Sequence, residues 1–195
     1  PRLLGFDSRE RLGAFIACFN KLIARHDILR TAVLWENLRE PGQVVYRHAE
    51  LALEWLNVDG ASSQSVAEQL NAKVDPEHHR LDVRRAPMLR ALAAYDVRQD
   101  RWLMQLPGHH LVMDHTTLEL LVEEITLIQQ DREDELPQPL PFRNFVAQTR
   151  LGVSQKEHEA FFRERLGDVE EPTAPFGLLD VRGDGSEIEE VRLPL

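Results

Sequence analysis

The chain predicts an α/β fold, a mixed sheet with helices packed mainly on one face. Three observations point to it. Apolar residues recur at helical spacing near the N-terminus, two consecutive strand-like apolar runs stand mid-chain, and a second helical stripe follows them directly. With 195 residues, 43% hydrophobic and 29% charged, the chain can bury a real core and is not a disordered segment. No internal repeat or low-complexity block interrupts it.

The elements follow in order. Asp7-Ser8-Arg9-Glu10 offers cap residues, and Leu12, Phe15, Ile16, Phe19, Leu22 and Ile23 form one helical face up to Arg25 and His26. Residues 31–36 and 43–47, separated by Pro41-Gly42, read as a strand pair. Residues 51–58 alternate less cleanly and predict a weaker strand, and 62–74 predict a second helix. The charged segment 78–87 ends in Pro87 and predicts a loop feeding a strand over 88–97, whose hairpin partner, 101–107, lies across Gln99-Asp100. These two runs would form the middle of the sheet. From Thr116, the residues Leu118, Leu121, Val122, Ile125 and Ile128 predict a helix lying back on it. Pro137-Gln138-Pro139-Leu140-Pro141 breaks the chain before two more helices, about 142–151 and 154–166. Beyond Gly167 the composition is linker-like, and 187–193 alternate as a strand does.

Charge and cysteine usage exclude several classes. The formal charge is −10, so the electrostatic attraction that drives phosphate-backbone binding is absent overall, and nucleic acid is not an expected partner. Cys18, on the apolar side of the first helix, is the only cysteine, which fits a reducing compartment and rules out a disulfide within one chain. No apolar stretch has the length of a membrane span, and Pro1-Arg2-Leu3-Leu4-Gly5 lacks the layout of a signal peptide. A cytoplasmic protein with no membrane partner is expected.

The densest chemistry lies in Gly108-His109-His110-Leu111-Val112-Met113-Asp114-His115. It falls where a strand-like run ends and a helix begins, the kind of rigidly backed turn that favours catalytic side chains. His109-His110-x-x-x-Asp114 resembles the HHxxxD signature of the condensation domains of nonribosomal peptide synthetases, within the chloramphenicol acetyltransferase-like superfamily. Three further segments agree in order: Arg25-His26-Asp27-Ile28-Leu29-Arg30-Thr31 is similar to the family's RHExLRT, residues 81–91 to its FDLxxxPLLR, and Phe142-Arg143-Asn144-Phe145 to the region after the active-site helix. His115 departs from the pattern, since the family has Gly after the motif's Asp.

The resemblance implies a chloramphenicol acetyltransferase-like lobe and an acyltransferase that joins carrier-bound thioesters through an amide bond. It covers about the first half of such a domain: residues 1–167 would be the N-terminal lobe without its opening segment, and 168–195 a linker and strand crossing toward an absent C-terminal lobe. Its partners would be peptidyl or acyl carrier proteins, the missing lobe and neighbouring synthetase domains. The substrates would ride on phosphopantetheine, with no cofactor bound tightly. Such a fragment is expected to be inactive alone.

Aminolysis needs an uncharged amine, yet an α-amine has a pKa of about 7.7–8.0, so near neutral pH much of it is protonated. A neutral imidazole can accept its proton or stabilise the charged intermediate. In the family the second His of the motif faces substrate, which assigns His110 that role. The motif's Asp holds the turn through an arginine there; Arg30 is a candidate partner of Asp114 within this chain, and an arginine of the missing lobe is another. His109 is expected as a buried imidazole satisfied by backbone carbonyls. Backbone N–H groups opening the helix at Thr116 are candidate oxyanion donors, with His115, Thr116 and Thr117 as candidate contacts and N-capping as the plainer role of Thr116. By the same resemblance, His26 is expected near this turn.

Other features weigh less. His78-His79 reads as part of a solvated loop, residues 131–135 as a solvated acidic patch, and Arg143, Arg150 or Arg163 as positive surface for a carrier protein. Three alternatives stand beside the amide-forming reading, one of them a non-catalytic interaction domain that kept the scaffold. A metal-dependent hydrolase could use His109, His110, Asp114 and His115, but adjacent residues on a strand point to opposite faces and the motif lacks His-x-His spacing. A free-standing acyltransferase of the same superfamily would carry its motif close to the C-terminus, whereas a long tail follows His115 here.

Overall fold

The structure, a computed structural model, describes residues 3–59, 62–76, 78–171 and 173–177. The elements are β1 (Leu3–Phe6), α1 (Arg9–Arg25), β2 (Thr31–Leu34), β3 (Gly42–Val45), β4 (Leu53–Trp55), α2 (Val66–Val74), β5 (Ala91–Asp96), β6 (Arg101–Gln105), α3 (His115–Gln129), α4 (Phe142–Leu151) and α5 (Gln155–Leu166). They divide into two compact units, Pro1–Phe142 and Arg143–Leu195.

The first unit is built on a four-stranded sheet of order β1-β6-β5-β4. Its β5–β6 hairpin and the β1–β6 pair are antiparallel, and β4 runs parallel to β5, so the sheet is mixed as the sequence predicts. Period-2 alternation on the central strands sorts the core into two layers. Ala91, Ala93 and Met104 join Leu12, Ile16, Phe19, Leu22 and Ile23 of α1 and Leu121, Ile125 and Ile128 of α3. On the opposite face, Leu92, Ala94 and Leu103 meet Leu70 and Val74 of α2. β2 and β3 form a separate two-stranded ribbon.

Helix starts follow local chemistry. Ser8 caps α1 by accepting from Arg11 N. Ser65 and Glu68 form a reciprocal capping box, which starts α2 at Val66, later than the expected residue 62. The Arg25-His26-Asp27 segment ties α1 to later chain. His26 Nε2 lies 2.7 Å from Glu124 Oε2 of α3, Arg25 donates to the Pro137 carbonyl, and both Asp27 oxygens accept from Phe142 N at 3.0 and 3.1 Å. His26 is therefore not at the histidine turn: Glu124 sits about 14 Å along α3 from its start.

Some expectations are corrected. β1 was not predicted, because Leu3-Leu4-Gly5-Phe6 carries no alternation and its partner, β6, lies far away in sequence. The strands expected over 88–97 and 101–107 are shorter, although Leu89 and Gly108 still meet in an isolated antiparallel bridge. Val122, expected on the core face of α3, is 48% exposed. The strand expected over 187–193 lies outside the described residues.

In the second unit, α5 begins at a capping box formed by Ser154 and Glu157. None of the described side chains in this unit is buried. Among the described residues, no helix is long and apolar enough to cross a membrane.

Candidate active site

β6 delivers the chain to the histidine turn, and the strand beside it holds the approach. Arg90 N donates to the Pro107 carbonyl and His109 N to the Met88 carbonyl, both at 3.0 Å. Gly108 lets these segments close, since a Cβ there would stand 2.5 Å from Met113 Cε and 2.7 Å from Leu89 Cδ2. Val112 N then donates to the His109 carbonyl at 3.1 Å, closing a turn with His110 and Leu111 at its exposed tip. Val112 is buried, and Met113 packs against the main core, so the turn is anchored on its inner side.

Each polar side chain of the motif has an identifiable role in this geometry. His109 Nδ1 accepts from Leu111 N at 3.1 Å, so that nitrogen carries no proton. The imidazole is half-buried and braces the turn by accepting an amide, where carbonyl partners were expected. Asp114 is the N-cap of α3: its Oδ1 accepts from Thr117 N and from Thr117 Oγ1, each at 2.7 Å. These bonds, the amide first, hold its carboxyl below the ordinary carboxylate range, and the nearby His110 pulls in the same direction.

The expected Asp114–Arg30 ion pair is not formed. Arg30 donates to the Tyr46 carbonyl on the β2–β3 side, and the Asp114 carboxylate is engaged with the helix it caps. Thr117 was a candidate oxyanion contact, but both its amide and its hydroxyl are directed to Asp114. Thr116 is exposed, and the cap belongs to Asp114. His115 opens α3 and lies 3.0 Å from Glu119 Oε1 one turn on.

A cavity of about 640 Å³ borders the turn. The turn and α3 contribute Gly108, His109, His110, Met113, Asp114, His115 and Leu118 to its lining. The end of α2 and the loop after it contribute Val74, Pro76, His79, Arg80 and Leu81. His79 is exposed, as the sequence leads one to expect, but nothing local in the sequence says that its loop folds back beside the motif. Among the described residues, no group of three or more His, Cys, Asp or Glu side chains is placed to hold a metal ion.

Fold and site together define an α/β lobe with a histidine on the turn after a central strand. The chain belongs to the condensation domain family, whose model matches residues 5–179. It is 46% identical over 190 residues to malpinin synthetase of Mortierella alpina, covering 97% of this chain and 2% of that relative. Its fold matches that of a nonribosomal peptide synthetase cyclization-docking bidomain from Sorangium cellulosum, with a TM-score of 0.68 at 20% identity, over 98% of this chain and 37% of that one. The epimerization domain from the third module of tyrocidine synthetase B matches with a TM-score of 0.67 at 18% identity, over 88% and 40%. These two domains are named for different reactions, so the fold alone does not specify the chemistry.

Proposed function

We propose that this chain carries the histidine turn of a condensation domain and serves amide-bond formation between a donor acyl or peptidyl thioester and the amine of an acceptor aminoacyl thioester. Residues 1–167 are assigned to the N-terminal lobe, and 168–195 to the crossing toward a second lobe. Both substrates arrive on phosphopantetheine arms of carrier proteins, supplied by neighbouring synthetase domains in the cytoplasm. The observation that carries this reading is the placement of His110 at the exposed tip of a braced turn, on the border of a cavity.

In the step itself the amine nitrogen attacks the thioester carbonyl carbon, the C–N bond forms and the C–S bond breaks. His110, in its neutral form, accepts the proton the amine loses, and the departing sulfur takes one up. His109 braces the loop that presents His110, and Asp114 fixes the start of α3 beneath it. His115 borders the same cavity and is assigned a substrate contact. The amides that open α3 before Thr117 are assigned to the developing oxyanion.

The test is His110→Ala in an intact synthetase with both carriers loaded. Dipeptidyl product is expected to form about a hundredfold more slowly or worse, with carrier loading unchanged. An undiminished rate would sink the proposal.

A further inference from the structure

We infer that a second cavity, between β1, α1 and the C-terminal end of α3, is a binding site for an organic ammonium ion with an apolar body. The cavity measures about 810 Å³ and is lined on its apolar side by Phe6, Ala14, Phe15 and Ile128. Phe6 and Phe15 are only partly buried, and their ring centroids lie 5.5 Å apart with the planes tilted by 59°. They give the cavity an aromatic wall, which attracts a cation as well as a hydrocarbon group. α3 starts at the histidine turn and ends here, about 20 Å away along its axis, so this site is separate from the cavity that His110 borders.

Charges at the rim select the sign of the ligand. Asp7 and Asp131 both line the cavity, and Arg11 is the one cationic side chain in its described lining. Arg11 Nη1 donates to Asp7 Oδ2 at 2.7 Å, which leaves the Asp131 carboxylate uncompensated within the cavity. Neighbouring cations are committed elsewhere: Lys21, whose charge Asp131 influences, donates to Glu133, and Arg132 pairs with Glu135 at 2.6 Å. The end of α3 adds to the same sign, since Ile128 and Gln129 of its last turn line the cavity and the carbonyl end of a helix carries partial negative charge. An anion meets repulsion here, and a neutral apolar molecule leaves Asp131 without a counter-ion. An ammonium group on an apolar body satisfies wall and rim together. Cys18, 9% exposed, also lines the cavity, so the chain's only cysteine is a reporter of its occupancy.

Calorimetric titration of the full chain at neutral pH with phenethylamine, phenethyl alcohol and phenylacetate tests the sign of the site. The rate at which a methanethiosulfonate reagent modifies Cys18, followed by intact mass, tests its location. The amine is expected to bind about fivefold more tightly than the alcohol, with the carboxylate weakest, and to slow modification of Cys18. Asp131→Asn is expected to abolish the preference for amine over alcohol. Asp131 has φ 56°, a left-handed conformation that Asn tolerates, and an unchanged circular dichroism melt verifies that the variant is folded. His110→Ala is expected to leave both readouts unaltered, which separates this site from the substrate cavity. Equal affinity for amine and alcohol, a preference that survives Asp131→Asn, or Cys18 modified at its free rate in saturating amine would overturn the inference, as would the absence of binding by any probe.

Discussion

At the scale of single residues, the motif separates into one presented side chain and two that build its support. His109 and Asp114 both accept from amides of the turn and the helix it enters, which leaves His110 at the tip. Asp114 gives this arrangement a pH signature. Its folded carboxyl lies below the ordinary value, so the charged form is favoured by folding. That stabilisation is present above the unfolded value of about 3.9 and is lost as pH falls through the lowered folded value. Asp114→Asn keeps an accepting oxygen and removes the charge. The expected outcome is a melting temperature below the native one at pH 6, with the gap closing below about pH 4. Thermal melts across pH check this, and a gap that holds constant into acid counts against it.

At the scale of elements, the site depends on how closely β6, the turn and α3 approach the strand beside them. Gly108→Val is expected to push Met113 and Leu89 apart and displace the turn, so transfer in the intact synthetase should fall well beyond any loss of melting temperature. Equal loss of stability and activity would mean that Gly108 matters only to folding. Ile125, 4% exposed in the core between α1, α3 and the sheet, gives the contrasting case. Ile125→Ala is expected to cost about 3 kcal/mol, measured by urea denaturation, because a buried void is left behind. The same elements show what the sequence could convey. α1, α3 and the β5–β6 hairpin were legible because their apolar periods are long and local. β1 was not, since four residues at a sheet edge acquire meaning only through β6. The histidine turn was legible as a local motif joined by ordered flanking segments. Its second wall was not, because His79 and Arg80 reach the cavity through tertiary packing that no local pattern encodes, and the Asp114–Arg30 pair is not formed because Arg30 is directed to the Tyr46 carbonyl while Asp114 caps α3.

At the scale of the whole molecule, charge and apolar exposure act in opposite directions. The net charge of −10 keeps copies apart by repulsion. The second unit, however, exposes large apolar side chains, among them Leu151 at 84%, Phe162 at 54% and Leu166 at 55%, with none of its described side chains buried. Repulsion between exposed charges is screened over about 10 Å at 0.1 M salt and about 3 Å at 1 M, whereas burial of apolar surface is not weakened by salt in this way. Raising ionic strength should therefore favour association of the isolated chain. Sedimentation velocity is expected to show a single light species in dilute low-salt solution and heavier species as salt and protein concentration rise. Phe162→Glu with Leu166→Glu should return the light species at high salt while leaving the melting temperature of the first unit unchanged, because neither residue belongs to its core. A native chain that stays light in high salt at every concentration would show that this apolar surface is too dispersed to bind itself.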